Sequence, residues 1–186
     1  MEFFDDVKVP EGFFQLHAYD ARSGKLVDYV EGHNIVVNDG REALARLLGH
    51  HDPVLDPILS GPAAGVVSWY VDTLAFGDGG HDPDSVGDQT VMTPVLVTDT
   101  GLYGTTHVTR PVTVTWPSYR KVVFEATVES TEGNHPSPPA VNEYSEAGLF
   151  YGTSPGNSMV MFAHKSFGYV VKNETIRLVA TWTFTF

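Results

Sequence analysis

Cysteine is missing from this chain altogether, which excludes disulfides, thiolate zinc sites and a cysteine nucleophile together. Basic residues are scarce as well: 11 lysines and arginines stand against 23 aspartates and glutamates, for a formal net charge of −12. Binding a phosphate backbone needs a basic face. Arg120-Lys121 is the only adjacent basic pair, so direct nucleic-acid binding is not expected. An acidic surface instead keeps copies of a protein soluble and apart at high concentration. Long apolar runs are also lacking. No run reaches the roughly 18 apolar residues that span a bilayer, and the N-terminus is acidic rather than basic and then apolar, so neither a membrane span nor a signal peptide is expected. Charged residues make up only 18% of the chain against 42% apolar, a low share for a free-standing soluble enzyme.

What the chain does contain is turn chemistry and alternation. Its 18 glycines and 12 prolines fall in clusters between alternating runs, as turns between strands do. Near the C-terminus Ile176, Leu178, Ala180, Trp182, Phe184 and Phe186 alternate with Arg177, Thr181, Thr183 and Thr185, and Val179 alone breaks the polar row. A period of two over this length is a strand with one face in a core. The final aromatic predicts a terminus locked into a sheet rather than frayed.

Residues 1–12 are largely polar, carry Phe3-Phe4, are interrupted by Pro10 and Gly12, and read as an N-terminal arm. Residues 13–186 read as one domain, long enough to bury roughly 70% of the surface of the unfolded chain without a staple. Phe14, Leu16 and Ala18 alternate into a first strand, residues 20–24 turn, and residues 26–30 return as its hairpin partner. Residues 35–37 are a short β-rich run. Asn38 or Asp39 then caps a helix over about residues 40–48, with Ala43, Leu44, Leu47 and Leu48 as its apolar stripe and Gly49 closing it. Residues 69–76, 105–116, 122–128, 143–151 and 159–167 read as further strands. Residues 50–65, 77–90 and 131–141 read as loops, and Asn173-Glu174-Thr175, a glycosylation sequon by pattern, as a turn into the last strand. Some eight strands with one short helix predict a mainly β fold, an antiparallel, jelly-roll-like β-sandwich.

Candidate chemistry is thin. Gly152-Thr153-Ser154-Pro155-Gly156 matches G-x-S-x-G, but the residue after the serine is a proline without an N–H for an oxyanion hole, and the segment links two strands. Asp78, Asp82, Asp84 and Asp88 are weak metal candidates, since Ca²⁺ takes several oxygens from a flexible loop; a solvated acidic loop is the default. His50-His51-Asp52 are neighbours that point apart on an extended chain, and His81, His107, His135 and His164 are scattered, so no metal or other cofactor is expected. Glu143 and Glu146 on one strand, and Glu125 and Glu129 on another, raise a glycosidase-like pairing of acids, although Glu125 and Glu129 fall on an outward row. The uncharged threonines of the last strand (Thr175, Thr181, Thr183 and Thr185), and those at 105, 106, 109, 113 and 115, suit either protein contact or plain strand surface.

Several segments together resemble a known pattern. They are Asn34-Ile-Val-Val-Asn-Asp-Gly-Arg-Glu-Ala-Leu, Leu74-Ala-Phe-Gly-Asp-Gly-Gly, Thr93-Pro-Val-Leu-Val-Thr-Asp-Thr-Gly-Leu and Arg110-Pro-Val. Val123-Phe-Glu-Ala-Thr-Val, Glu143-Tyr-Ser-Glu-Ala-Gly-Leu-Phe, Met161-Phe-Ala-His-Lys-Ser-Phe and Leu178-Val-Ala-Thr-Trp-Thr-Phe follow in order. The series, over roughly residues 33–186, resembles the small β-rich virion proteins of tailed bacteriophages and archaeal tailed viruses, and the attachment modules of tail-collar fibres. The resemblance implies a non-enzymatic, multi-copy virion component at the neck, collar, tail or baseplate, or decorating the capsid. It implies a homo-oligomer, a trimer or higher ring, docked to other virion proteins, and it carries over no catalytic residue. Phe3 and Phe4, with Thr181, Thr183 and Thr185, are the expected interface residues. A carbohydrate-binding β-sandwich for host-surface recognition is the alternative.

Overall fold

The structure, a computed structural model, describes residues 11–48, 71–81, 92–137, 140–151 and 159–186. Among them run ten strands and one helix: β1 (Glu11–Asp20), β2 (Leu26–His33), β3 (Ile35–Val36), α1 (Asn38–Leu48), β4 (Val71–Gly77), β5 (Thr106–Pro111), β6 (Thr113–Ser118), β7 (Lys121–Val128), β8 (Asn142–Tyr151), β9 (Val160–Lys172) and β10 (Ile176–Thr185). They form two five-stranded sheets, ordered β2-β1-β10-β7-β6 and β3-β9-β8-β4-β5, with antiparallel pairing throughout. This is the expected antiparallel β-sandwich with one short helix. No helix among the described residues is long and apolar enough to cross a membrane.

The alternating C-terminal run lies at the centre of the first sheet. β10 pairs β1 from Thr185 opposite Glu11 to Ile176 opposite Asp20, and on its other edge pairs β7. Leu178, Ala180, Trp182 and Phe184 point inward with Phe14, Leu16 and Ala18 of β1 and Phe124, Ala126 and Val128 of β7. Leu74, Phe76, Tyr144, Leu149, Phe167 and Val170 of the second sheet join them in one core. The Trp182 ring lies 4.8 Å from Phe14, which stacks on Phe167 at 5.5 Å. β1 starts at Glu11, so the last two residues assigned to the arm already pair with β10.

The second sheet is covered on both faces. Every residue of β8 except Glu143 is buried, and its outer face carries Val37, Ala75, Phe150 and Met161 under Leu102. α1 lies on β9 so closely that a Cβ on Gly40 would strike the Phe162 carbonyl oxygen. Val97 accepts a 2.6 Å bond from the amide of Asn38, tying segment 92–105 to the start of the helix.

Two expectations need correction. Residues 105–116 are not one strand. β5 edges the second sheet beside β4, β6 edges the first beside β7, and the chain crosses between sheets at Val112, whose amide reaches Asp72 O at 2.9 Å. The crossing follows Pro111, which has no N–H to continue a ladder, and sandwich corners are made by strands that switch sheets in this way. β9 also runs on to Lys172, five residues past the expected end. The sequon is a turn, as expected: Thr175 donates from N and Oγ1 to Asn173 Oδ1 at 2.9 and 2.8 Å.

Candidate functional site

The one cluster of buried acids and bases among the described residues sits on the outer face of the second sheet, under segment 92–105. β8 contributes Glu146 and β9 contributes His164, both fully buried, and the segment above brings Asp99 and Tyr103 down onto them. His164 Nδ1 lies 2.8 Å from Asp99 Oδ2, and Nε2 lies 3.0 Å from Glu146 Oε2. One ring nitrogen thus faces each carboxylate, and the imidazole bridges the two acids. Tyr103 donates its hydroxyl to Asp99 Oδ2 at 2.7 Å, and the Leu96 amide donates to the same oxygen at 2.8 Å.

Glycines make the cradle around Glu146. The amides of Gly79 and Gly104 donate to Oε1 at 2.9 and 2.8 Å, and that of Tyr103 to Oε2 at 2.9 Å. A Cβ on Gly77 or Gly79 would stand only 2.7 or 2.8 Å from Oε1, and one on Gly104 would strike Asp78 and Gly79. Only a chain without side chains there brings amides this close. Burial alone would push the Glu146 carboxyl up, but the His164 ring and the three amides outweigh it and hold it below the ordinary carboxylate range. Burial, aided by the bond to Asp99, pushes the Tyr103 hydroxyl up, so it stays a donor. Gly80 N to Ser145 Oγ (2.9 Å), Thr93 N to Gly80 O (2.8 Å) and Ser166 Oγ to Thr93 O (2.5 Å) complete the seam.

This arrangement clasps; it does not present chemistry to solvent. General acid–base catalysis needs the group within hydrogen-bond reach of a substrate proton. Glu146 and His164 are 0% exposed and Asp99 9%, and their oxygens and nitrogens are engaged with one another and with the backbone.

The sequence candidates are dispersed. Asp78 staples the base of its loop, accepting from the Thr105 amide at 2.7 Å and meeting His107 Nε2 at 2.9 Å. Asp82, Asp84 and Asp88 lie outside the described residues, as do His50-His51-Asp52 and residues 152–156. No group of three or more His, Asp or Glu that could hold a metal occurs among the described residues. Glu143 is exposed and Glu146 buried, so the two do not pair, and Glu125 and Glu129 are exposed as expected. Phe3 and Phe4 lie outside the described residues. Thr181, Thr183 and Thr185 do form an outward row, but their cross-strand neighbours include Glu125, Glu11 and Lys121, so that face is charged. Asp99 and Tyr103 were missed as partners of His164.

A second feature lies at the end of the sandwich where β10 finishes. An apolar pocket of about 440 Å³ opens there between the sheets, lined by Leu44, Val71, Val122, Phe162, Phe184 and Phe186, with Trp116, Tyr119 and Lys121 at its mouth. Trp116 is 72% exposed, Tyr119 92% and Phe186 58%. The Arg120 guanidinium lies 5.3 Å over the Tyr119 ring. Large aromatics left in water around an apolar hollow mark a contact site.

No protein-family model, no curated protein and no solved structure matches this chain.

Proposed function

We propose that this chain is a non-enzymatic structural protein of a tailed-virus particle, assembling in multiple copies at the neck, collar, tail or baseplate or on the capsid, and docking to neighbouring virion proteins. The observation that carries the reading is a contrast in where the reactive and the sticky residues lie. The strongest acid–base constellation is spent inside the fold as a clasp, while aromatic surface stands exposed around an open pocket. A subunit whose work is contact needs a rigid body and an apolar surface to offer. The order of segments resembling virion proteins supplies the setting. Sedimentation velocity across a range of concentrations tests it: a defined trimer or larger ring is expected, and a monomer at every concentration would count against assembly.

Exposed Trp116 and Tyr119 also favour a second reading, a carbohydrate-binding module, because aromatic faces stack on sugar rings. A monomer that binds a glycan array through these two residues would favour that reading over assembly.

A further inference from the structure

The geometry points to a specific occupant for the apolar pocket: we infer that it is the socket for Phe3-Phe4 of a second copy of this chain. The inference rests on the multi-copy reading above and deepens it by naming the contact. Residues 1–10 lie outside the described residues, so only their sequence and the position of Glu11 enter.

Three observations converge. The first is size. A cavity of about 150 Å³ lined by apolar side chains holds one benzene ring, so a pocket of about 440 Å³ has room for two phenyl groups side by side. The arm carries two adjacent phenylalanines.

The second is charge. In a chain of net charge −12, the pocket mouth carries the only adjacent basic pair, Arg120-Lys121. Neither cation has an ion-pair partner among the described residues. The two phenylalanines are flanked by Glu2, Asp5 and Asp6. An apolar pair flanked by acids fits an apolar hollow with a basic pair at its mouth, and most of the remaining acidic surface repels an acidic segment.

The third is position. Glu11, the first described residue, pairs with Thr185, next to Phe186 in the pocket wall. Glu11 and the pocket therefore share one end of the sandwich. Phe4 and Phe3 stand seven and eight residues before Glu11, a reach of at most roughly 25–29 Å, enough to cross between copies whose ends abut. Copies related by a ring axis at this end pass their arms around the ring, each filling its neighbour's pocket, and such contacts close rather than propagate when the rotation closes.

The test uses the full chain. Phe3→Ala with Phe4→Ala is expected to weaken association by on the order of a hundredfold or more, from two lost aromatic anchors, with an unchanged melting temperature for the dissociated subunit. Reversing the mouth charges (Arg120→Glu with Lys121→Glu) is expected to weaken association likewise, and adding Asp5→Lys with Asp6→Lys to restore it in part. Association of the double-alanine variant at wild-type strength overturns the socket while leaving multi-copy assembly standing. A wild-type chain that is monomeric throughout overturns both. Trp116 fluorescence that depends on Phe3 and Phe4 yet not on protein concentration would show the arm in its own pocket, and would overturn exchange between copies.

Discussion

Glu143 and Glu146 stand three residues apart on β8, yet one is exposed and the other fully buried against His164. Removing one partner of a buried hydrogen-bond network costs about 1–3 kcal/mol, and more where the partner is charged, because the groups facing it are left unsatisfied. Glu146→Gln is therefore expected to lose stability on that scale in urea denaturation, and Glu143→Gln to change it by less than about 0.5 kcal/mol. The pH dependence follows from the same contacts. Glu146 holds its proton less tightly folded than unfolded, so its contribution is present above the ordinary value of 4.5 and fades as pH falls through the lower folded value. Wild type should therefore lose stability below pH 4.5 more steeply than Glu146→Gln; equal slopes would refute the role of the carboxylate. Lys172 shows the opposite sign. Burial pushes its ammonium down to about 8 from 10.5, against the pull of Glu132 and Glu129. It holds the turn at 130–134 by donating to Ser130 O (3.2 Å), Asn134 Oδ1 (2.6 Å) and Asn173 O (2.9 Å). The unfolded chain binds this proton more tightly, so stability should rise with pH between about 8 and 10.5 in wild type. Lys172→Met should lack that rise in denaturation curves taken at each pH. None of this was legible in the sequence. Asp99 meets His164 across 65 positions, and no local spacing announces a contact made only once two strands and a covering segment have assembled.

At the scale of elements, legibility followed solvation. β1, β7 and β10 each have one inward row, so polar and apolar residues alternate and the strands could be read from period alone. β8 and β9 lie under cover on both faces, and there the alternation fades into nearly continuous burial, as expected of a strand with no solvent side. Alternation likewise concealed the switch of sheets at Val112. The inward row passes from Val108 to Val112 to Val114 while the chain moves from one layer to the other, and all three pack on the same core. Helix α1 could be read from its apolar stripe, although it begins at Asn38, so the residues expected to cap it, Asn38 or Asp39, lie in its first turn; its distance from β9 could not be read. That distance is set by Gly40, whose missing Cβ lets the helix rest on the Phe162 carbonyl. In an exposed helix Gly→Ala gains up to about 1 kcal/mol. Here Gly40→Ala should instead destabilise by about 1–3 kcal/mol through overpacking. A thermal melt separates the two signs directly, and a stabilised variant would mean that α1 is free to move off the sheet.

For the whole molecule, the question is how copies carrying a net charge of −12 come together at all. Unlike charges must meet locally, or apolar area must outweigh repulsion that salt screens beyond roughly 10 Å at 0.1 M. The pocket end offers both, since exposed Trp116, Tyr119 and Phe186 surround the Arg120-Lys121 pair. The opposing surface of the first sheet offers less: its threonine row is interleaved with Glu11, Glu125 and Lys121, so the plain reading of those threonines as strand surface gains weight. These two faces can be told apart. Trp116→Ser with Tyr119→Ser removes two side chains that are 72% and 92% exposed, so folding stability should move by no more than about 0.5 kcal/mol for each. If the pocket end is the contact, the same pair should weaken association by at least about tenfold, whereas Thr181→Lys with Thr183→Lys should leave it within about twofold. Sedimentation equilibrium on the two double variants decides between the faces, and the reverse result would move the interface onto the first sheet.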